Sequence, residues 1–172
     1  ETILQISAET GRGGFIVPSG IATDDSTKRY FQTLVKQAKL VSLFGFDNAR
    51  RIFPAVHPDT PFSLVTIGSS DTPADLAHYV LAIEQINDPR RRFTLTPDEF
   101  RLINPNTLTC PVFRSGRDAE LTKKLYRAAP VLIREAVWAG EGKQAKLVSP
   151  EVNPWGISFS SLLDMANTSR LF

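Results

Sequence analysis

One short loop combines cationic and aromatic side chains in a way that suits nucleic-acid binding. Residues 50–54 read Arg50-Arg51-Ile52-Phe53-Pro54, and the proline restricts the loop to few backbone conformations. Guanidinium groups can neutralise phosphates, and an aromatic face can stack on a base. The pattern therefore predicts a nucleic-acid-binding loop. The alternative is a solvated arginine pair beside a core phenylalanine.

A second candidate is a local excess of positive charge in the middle of the chain. Over residues 89–127, nine basic residues oppose only four acidic ones, which leaves a net charge of +5. Phosphate neutralisation would use such a patch, whereas a solvated helical face would look the same in sequence. The basic residues are Arg90, Arg91, Arg92, Arg101, Arg114, Arg117, Lys123, Lys124 and Arg127.

The other reactive side chains lack partners at motif spacings. His57 has no serine, cysteine or carboxylate placed to make a catalytic group with it, so a loop histidine is predicted. Cys110 is the single cysteine, which excludes an internal disulfide and favours a packed, inert thiol. Two histidines argue against a histidine-rich metal site, and no metal is expected. The glycines of residues 11–14 precede a strand, so they predict a turn and not a phosphate-binding loop.

Composition places these residues in an ordinary globular domain. The chain has 172 residues, of which 42% are hydrophobic and 22% charged, and its net charge is +2. Total charge therefore does not mark a nucleic-acid binder. No apolar run approaches the roughly 18 residues that span a membrane, and no signal-peptide pattern opens the chain. The default compartment is a reducing cytoplasm.

The first part of the chain has the periodicity of an α/β domain. Residues 15–18, 40–46 and 62–67 predict strands, and the apolar face of residues 24–38 predicts a helix between the first two. That helix supplies the crossover that parallel strands need, whereas the connection after residue 46 is too short for a second one. We therefore expect the first two strands to be parallel, with the third antiparallel and between them.

The remainder is predicted to be mostly helical. One helix should start at Thr72-Pro73, another at the capping box that begins with Thr96, and a third after Ser115, which ends before Pro130. Trp155, Ile157 and residues 159–163 form a last apolar segment of undecided type. Two units follow from this pattern: residues 1–70 as an α/β unit, and residues 71–172 as a mainly helical connector.

The two ends of the chain predict a fragment of a longer polypeptide. The chain starts at Glu1 in the middle of a pattern, without methionine, and stops at Phe172 straight after an amphipathic stretch. The alternative is an ordinary processed or tagged chain.

Three stretches together resemble a known family. They are GRGGFIVPSGI at residues 11–21, INPNTLTCPVFRS at residues 103–115, and the segment that begins NPWGI at residue 153 and runs to residue 172. In combination with Phe53-Pro54 and the capped helix, they resemble adenine-specific DNA methyltransferases. The most similar group is the large single-chain methylases of restriction–modification and phage-defence systems. The resemblance covers nearly the whole chain and matches the second half of the catalytic domain plus the segment before the target-recognition region.

The resemblance implies a fold, a substrate and a set of contacts. It implies part of a Rossmann-like methyltransferase sheet, β-α-β-β with one antiparallel strand, in which residues 40–46 form the edge strand. Phe53 would pack against an adenine flipped from double-stranded DNA, and Pro18, Ser19 and Gly20 would lie beside it at the end of a strand. The residues that would contact DNA are Arg50, Arg51, Arg90, Arg91, Arg92, Arg114, Arg117, Lys123 and Lys124. The parent enzyme would use S-adenosylmethionine.

The chain departs from this family in two motifs. The Gly-containing cofactor loop and the Asn-Pro-Pro-aromatic motif that holds the adenine amine are both absent, since Asn104-Pro105-Asn106-Thr107 lacks the second proline and the aromatic residue. The chain alone is therefore expected not to methylate, and to need a missing N-terminal catalytic half and a target-recognition region. Two alternatives remain: a non-catalytic DNA-binding or assembly subunit, and a structural α/β domain without a nucleic-acid role.

Overall fold

The computed structural model describes residues 3, 8, 10–140 and 145–158. The chain divides into two compact units, residues 1–129 and residues 130–172. Residues 2–9, whose sequence suits a short helix or a linker, lie almost wholly outside the described residues, as do residues 159–163 of the last apolar segment. The functional boundary at residue 70 stays a prediction.

A mixed five-stranded sheet forms the first unit. Its spatial order is β1-β3-β2-β4-β5. The strands are β1 (Arg12–Pro18), β2 (Leu40–Phe46), β3 (Phe62–Gly68), β4 (Ala74–Val80) and β5 (Phe93–Leu95). The chain is thus a mixed α/β protein, as its periodicity predicts.

The first three strands have the predicted arrangement, but β1 begins at Arg12, so Gly13 and Gly14 lie in the strand and not in the predicted turn. β3 pairs antiparallel with β1 on one side and with β2 on the other, so β1 and β2 are parallel to each other. The helical segment between β1 and β2 makes the crossover, and the return to β3 needs no helix of that length. Local patterning determined this part of the sheet because each strand is bounded by clear turn residues.

The helix predicted from Thr72 is wrong, because residues 74–80 form strand β4. β4 pairs parallel with β2 and antiparallel with β5. Leu76 and Val80 are four residues apart, which suits a helix face, but this strand is buried on both sides and lacks the alternation that would reveal it. Because β4 covers the far side of β2, β2 is an interior strand and not the edge strand that the resemblance implied.

Four α-helices and three short 3₁₀ segments complete the part of this unit that the structure describes. The helices are α1 (Gly20–Thr23), α2 (Lys28–Lys36), α3 (Pro97–Ile103) and α4 (Gly116–Ala128), and the 3₁₀ segments are Asp25–Thr27, Asn48–Arg50 and Ile83–Asn87. The predicted capping box at Thr96 is present, and the Ser115 hydroxyl caps α4 by accepting from the Asp118 backbone N–H. α4 ends two residues before Pro130, where the proline would break it.

Apolar side chains pack on both faces of the sheet. The larger cluster includes Phe31, Leu43, Leu76 and Phe100, and it joins the sheet to α2 and α3. The smaller cluster holds Phe46, Phe62, Ala77 and Val80 on the opposite face. Because both faces are covered, the ends of the strands and the loops that leave them are the accessible places for a ligand.

The second unit contains a small antiparallel hairpin of β6 (Val137–Ala139) and β7 (Lys146–Ser149). The backbones of Arg134 and Val152 also pair. The described residues between 71 and 158 thus hold four strands beside two α-helices, so this part is not mostly helical as expected. The described part of the last apolar segment, which contains Trp155 and Ile157, is irregular.

Candidate functional site

The parallel strands β1, β2 and β4 end at the same edge of the sheet, and a cavity of about 310 Å³ opens there. We call it the edge cavity. Gly45 and Ser63 are small residues opposite one another on β2 and β3, and they leave room that larger side chains would fill. The lining is completed by Ser19, Ala22, Thr23, Leu43, Phe46, Asp47, Pro61, His78, Tyr79 and Val112.

His78 is the buried titratable group of the edge cavity. Its burial lowers the pKa to about 4 from an ordinary value of 6.5, because the charged imidazolium would lose its hydration. His78 Nε2 lies 3.6 Å from Cys110 Sγ. Burial also raises the pKa of the Cys110 thiol, so the pair is a neutral imidazole beside a protonated thiol and not a reactive ion pair. The predicted packing of Cys110 is confirmed, since its side chain is buried and forms no disulfide.

A second opening adjoins the edge cavity and is lined by arginines. This arginine groove has a volume of about 470 Å³ and shares Asp47 and Tyr79 with the edge cavity. The remaining lining residues are Leu81, Asp88, Arg90, Arg91, Arg114 and Ser115. Three of the predicted DNA-binding residues are therefore brought together, since Arg114 joins the consecutive Arg90 and Arg91 although it is distant from them in sequence.

Hydrogen bonds hold the arginine groove in shape. The Arg90 guanidinium donates to both carboxylate oxygens of Asp88, at 3.0 and 2.9 Å, and this pairing lowers the pKa of Asp88 to about 2. The backbone N–H of Gly116 donates to the carbonyl of Arg90 at 2.9 Å, which ties the start of α4 to the turn before β5. A side chain at Gly116 would meet the Arg92 carbonyl oxygen at 2.8 Å, so glycine allows this close approach.

The other predicted cations lie elsewhere. Arg92 forms an ion pair with Asp75 and lies over the Phe44 ring, outside the arginine groove. Lys123 is buried between Glu99 and Glu120, at 3.1 and 2.5 Å, and this placement does not suit a phosphate contact. The carboxylates of Glu99 and Glu120 neutralise the positive charge of Lys123. Arg117 and Lys124 are exposed on α4.

The Arg50–Phe53 loop is organised by Asn48, which sequence reasoning did not single out. The Asn48 side chain is 0% exposed. Its Nδ2 donates to the carbonyls of Phe53, Val56 and His57 at 3.1–3.2 Å, and its Oδ1 accepts from the Phe53 N–H at 3.0 Å. These four hydrogen bonds close the loop, and they leave Arg50 and Arg51 exposed on it.

Phe53 is 37% exposed and packs edge-on against Phe62, with ring centroids 4.8 Å apart. Phe62 in turn stacks on Phe46, and Phe46 lines the edge cavity. Ser19 also lines that cavity, whereas Pro18 is exposed at the end of β1 and Gly20 begins α1. A base-contacting role for Phe53, Pro18, Ser19 and Gly20 stays a prediction.

The residues that sequence reasoning missed at this edge are Asn48, His78 and Tyr79. His78 and Tyr79 were assigned to a helix, so their position at the end of a parallel strand was hidden. In the sequence, Asp47 and Asn48 mark only the end of the second strand. The one usable signal was the place of these residues directly after β2, because open α/β sheets bind ligands at strand ends.

The loops at this edge do not fit S-adenosylmethionine as the resemblance describes its site. β1 leads through Ser19 into the four-residue α1, β2 into a 3₁₀ segment, and β4 through Leu81-Ala82 into another 3₁₀ segment. None of these described loops is a glycine-containing loop that opens a long helix. Among the described residues there is also no cluster of three metal-ligating side chains, and no helix there could cross a membrane.

The chain matches no protein-family model, and no curated protein sequence is significantly similar to it. Among solved structures, it is similar to the methyltransferase subunit of a type I restriction–modification system from Streptococcus thermophilus. The TM-score is 0.44 and the identity 10%, over 60% of this chain and 27% of the other. The chain thus spans about a quarter of the length of that subunit.

Proposed function

We propose that this chain is the DNA-contacting part of an adenine-specific DNA methyltransferase that uses S-adenosylmethionine. The observation that carries the proposal is the convergence of Arg90, Arg91 and Arg114 in a groove beside the edge cavity. Guanidinium groups at a groove of this kind bind phosphates, and the adjoining cavity lies where α/β sheets bind ligands. The choice of adenine as the methylated base and of S-adenosylmethionine as the cofactor rests on the family resemblance. The chain's partners would be double-stranded DNA, the N-terminal catalytic half and the target-recognition region.

The described residues would bind and orient DNA. Arg90 is held by Asp88, so its position is preset before a phosphate arrives, whereas Arg114 rests on the Tyr79 ring and is exposed. Arg50 and Arg51 would add contacts from the loop that Asn48 closes. S-adenosylmethionine, held by the catalytic half, would supply the methyl group.

Fluorescence anisotropy with a labelled DNA duplex tests the arginine groove. Replacing Arg90, Arg91 and Arg114 together by alanine should lower the affinity and reduce the slope of log K against log salt concentration by about 2 to 3, since each phosphate contact contributes about 0.9. A control with the same change of charge replaces Arg12, Lys36 and Arg101, which lie outside the groove. Equal losses in the two triple variants would contradict a specific groove.

A non-catalytic DNA-binding or assembly subunit of a restriction or defence system is the second candidate. The observation in its favour is that the described loops at the sheet edge lack the glycine-containing form that the resemblance assigns to the cofactor site. The complete polypeptide distinguishes the two: DNA binding together with methylation of adenine supports the enzyme, and DNA binding with no methylation supports the subunit. A chain that does not bind DNA even at low salt would be a structural domain, and both proposals would be wrong.

A further inference from the structure

The end of β4 contains a β-bulge that isolates Tyr79. Ala77 pairs with Phe44 and Val80 with Phe46, so the two residues His78 and Tyr79 oppose the single residue Gly45. Tyr79 has φ of 56°, in the left-handed region that a bulky side chain rarely adopts. A bulge often re-aims a side chain beside a functional site.

The bulge leaves the residues on either side of Tyr79 packed and leaves Tyr79 itself unpacked. His78 is buried against the edge cavity, and Val80 is buried in the cluster on the opposite face. Tyr79 between them is 46% exposed. Burial of the ring therefore does not offset the conformational strain of the Tyr79 backbone. Strain of this kind is concentrated at functional sites.

Two arginines surround Tyr79. The Arg114 guanidinium carbon lies 4.9 Å from the centre of the Tyr79 ring, and Arg91 Nη1 donates to the Tyr79 carbonyl at 3.4 Å. Tyr79 also lines both the arginine groove and the edge cavity. A half-exposed ring thus stands between a cationic surface and a cavity with an apolar floor.

We propose that Tyr79 is a stacking platform for an unpaired base of bound DNA, whose neighbouring phosphates lie in the arginine groove. The inference rests on the proposed function and adds a residue and a substrate feature to it. A base inside a duplex has both faces covered by its neighbours, so only an unstacked base can offer a face to Tyr79. Arg114 completes the site because a guanidinium plane stacks on rings as well as binding phosphate.

The experiment uses the full chain and three labelled duplexes of the same sequence. One is fully paired, one contains an unpaired adenine, and one contains an abasic residue in place of that adenine. The wild type should bind the unpaired adenine about 5- to 150-fold more tightly than the abasic residue, the range that base–aromatic stacking produces. Tyr79→Phe should keep this preference. Tyr79→Gly and Tyr79→Asn should lose it, and both replacements tolerate a positive φ.

The outcomes separate this inference from the proposed function. If the adenine preference is absent in the wild type, or persists in folded Tyr79→Gly or Tyr79→Asn, the stacking role is wrong even though salt-dependent DNA binding remains. If the wild type binds none of the duplexes, the proposed function fails and the inference fails with it. Melting temperatures of the glycine and asparagine variants close to that of the wild type would confirm that a lost preference is not a folding defect.

Discussion

At the scale of single residues, the carboxyl edge of the sheet is built from side chains whose environments are unusual. Asn48 is a fully buried amide that uses both of its polar atoms, and His78 is a buried imidazole kept neutral. Tyr79 is a ring on a strained backbone. Asn48 is satisfied within its own loop, His78 is buried by the fold, and Tyr79 lies in a bulge, so each property can be changed by one substitution.

We expect Asn48→Ala to destabilise the chain by about 1–3 kcal/mol. The substitution removes the donor for three carbonyls and leaves the Phe53 N–H without its acceptor, and unsatisfied buried polar groups carry this cost. Urea denaturation measures the free energy of unfolding. Asn87→Ala, at an exposed asparagine, is the control and should change stability little. An unaltered unfolding free energy in Asn48→Ala would show that the four hydrogen bonds are not needed.

His78 should make stability depend on acidity. Because its pKa falls from 6.5 to about 4 on folding, the unfolded chain binds a proton in this range that the folded chain does not. The stabilisation is thus present above pH 6.5 and is lost as the pH falls to about 4. Denaturation at pH 7 and at about pH 4 should show a loss larger in the wild type than in His78→Gln, by about 3 kcal/mol. Equal losses in both proteins would contradict a neutral buried His78.

Phe53→Ala should affect function more than folding. By resemblance the ring faces a flipped adenine, and loss of base stacking should lower the methylation rate of the complete polypeptide about ten- to a hundredfold. The ring is partly exposed, so the stability cost should fall below the roughly 3–5 kcal/mol of a buried phenylalanine. Phe46→Ala, in the same ring stack, is the buried control. A large drop in melting temperature with normal activity in the folded Phe53→Ala protein would refute the stacking role.

At the scale of elements, the site depends on how closely β5 and α4 approach one another. Residues 90–92 lead into β5 and residues 114–116 lead into α4, and the Gly116–Arg90 hydrogen bond joins them. This single junction brings Arg90, Arg91 and Arg114 into one groove. The groove is therefore a property of the connection between two elements and not of either element.

Gly116→Ala should disturb this junction. The added methyl group would meet the Arg92 carbonyl oxygen at 2.8 Å, so the backbone must shift, which costs about 1–3 kcal/mol of stability and separates the arginines. Thermal denaturation and DNA affinity should both decline. Gly14→Ala is the matched control, because nothing lies within 4 Å of its added methyl group. Loss of stability in Gly14→Ala but not in Gly116→Ala would contradict the close approach.

At the scale of the whole molecule, net charge conceals the feature that matters. A total of +2 is unremarkable, yet the fold gathers three arginines at one groove and pairs the buried Lys123 with Glu99 and Glu120. The proposed DNA contacts therefore depend on where charges are placed. The proposed catalytic half would contribute none of these DNA contacts.

The isolated chain is expected not to bind S-adenosylmethionine measurably. The sequence lacks the Gly-containing loop and the ribose-binding acidic residue that the resemblance assigns to the cofactor, and the described loops at the sheet edge have a different form. Calorimetry of the purified chain with S-adenosylmethionine should give no saturable heat. A one-to-one isotherm at micromolar affinity would overturn this expectation.

Elements that depend on nearby residues could be predicted from the sequence. β1, β2 and β3, their mutual directions, the capping box at Thr96 and the cap at Ser115 all follow from nearby residues. The short connection after β2 already required an antiparallel return. Local capping and turn chemistry act within a few residues, so they can be interpreted without the fold.

Tertiary contacts were needed to show that β4 is a strand and to show which residues form the site. A strand buried on both faces has no alternation, so its apolar spacing indicated a helix until its partners β2 and β5 were known. Tyr79 became notable only through the bulge opposite Gly45, and the arginine groove only through the junction of β5 and α4. These features depend on pairing between distant segments, and local propensity carries no information about such pairing.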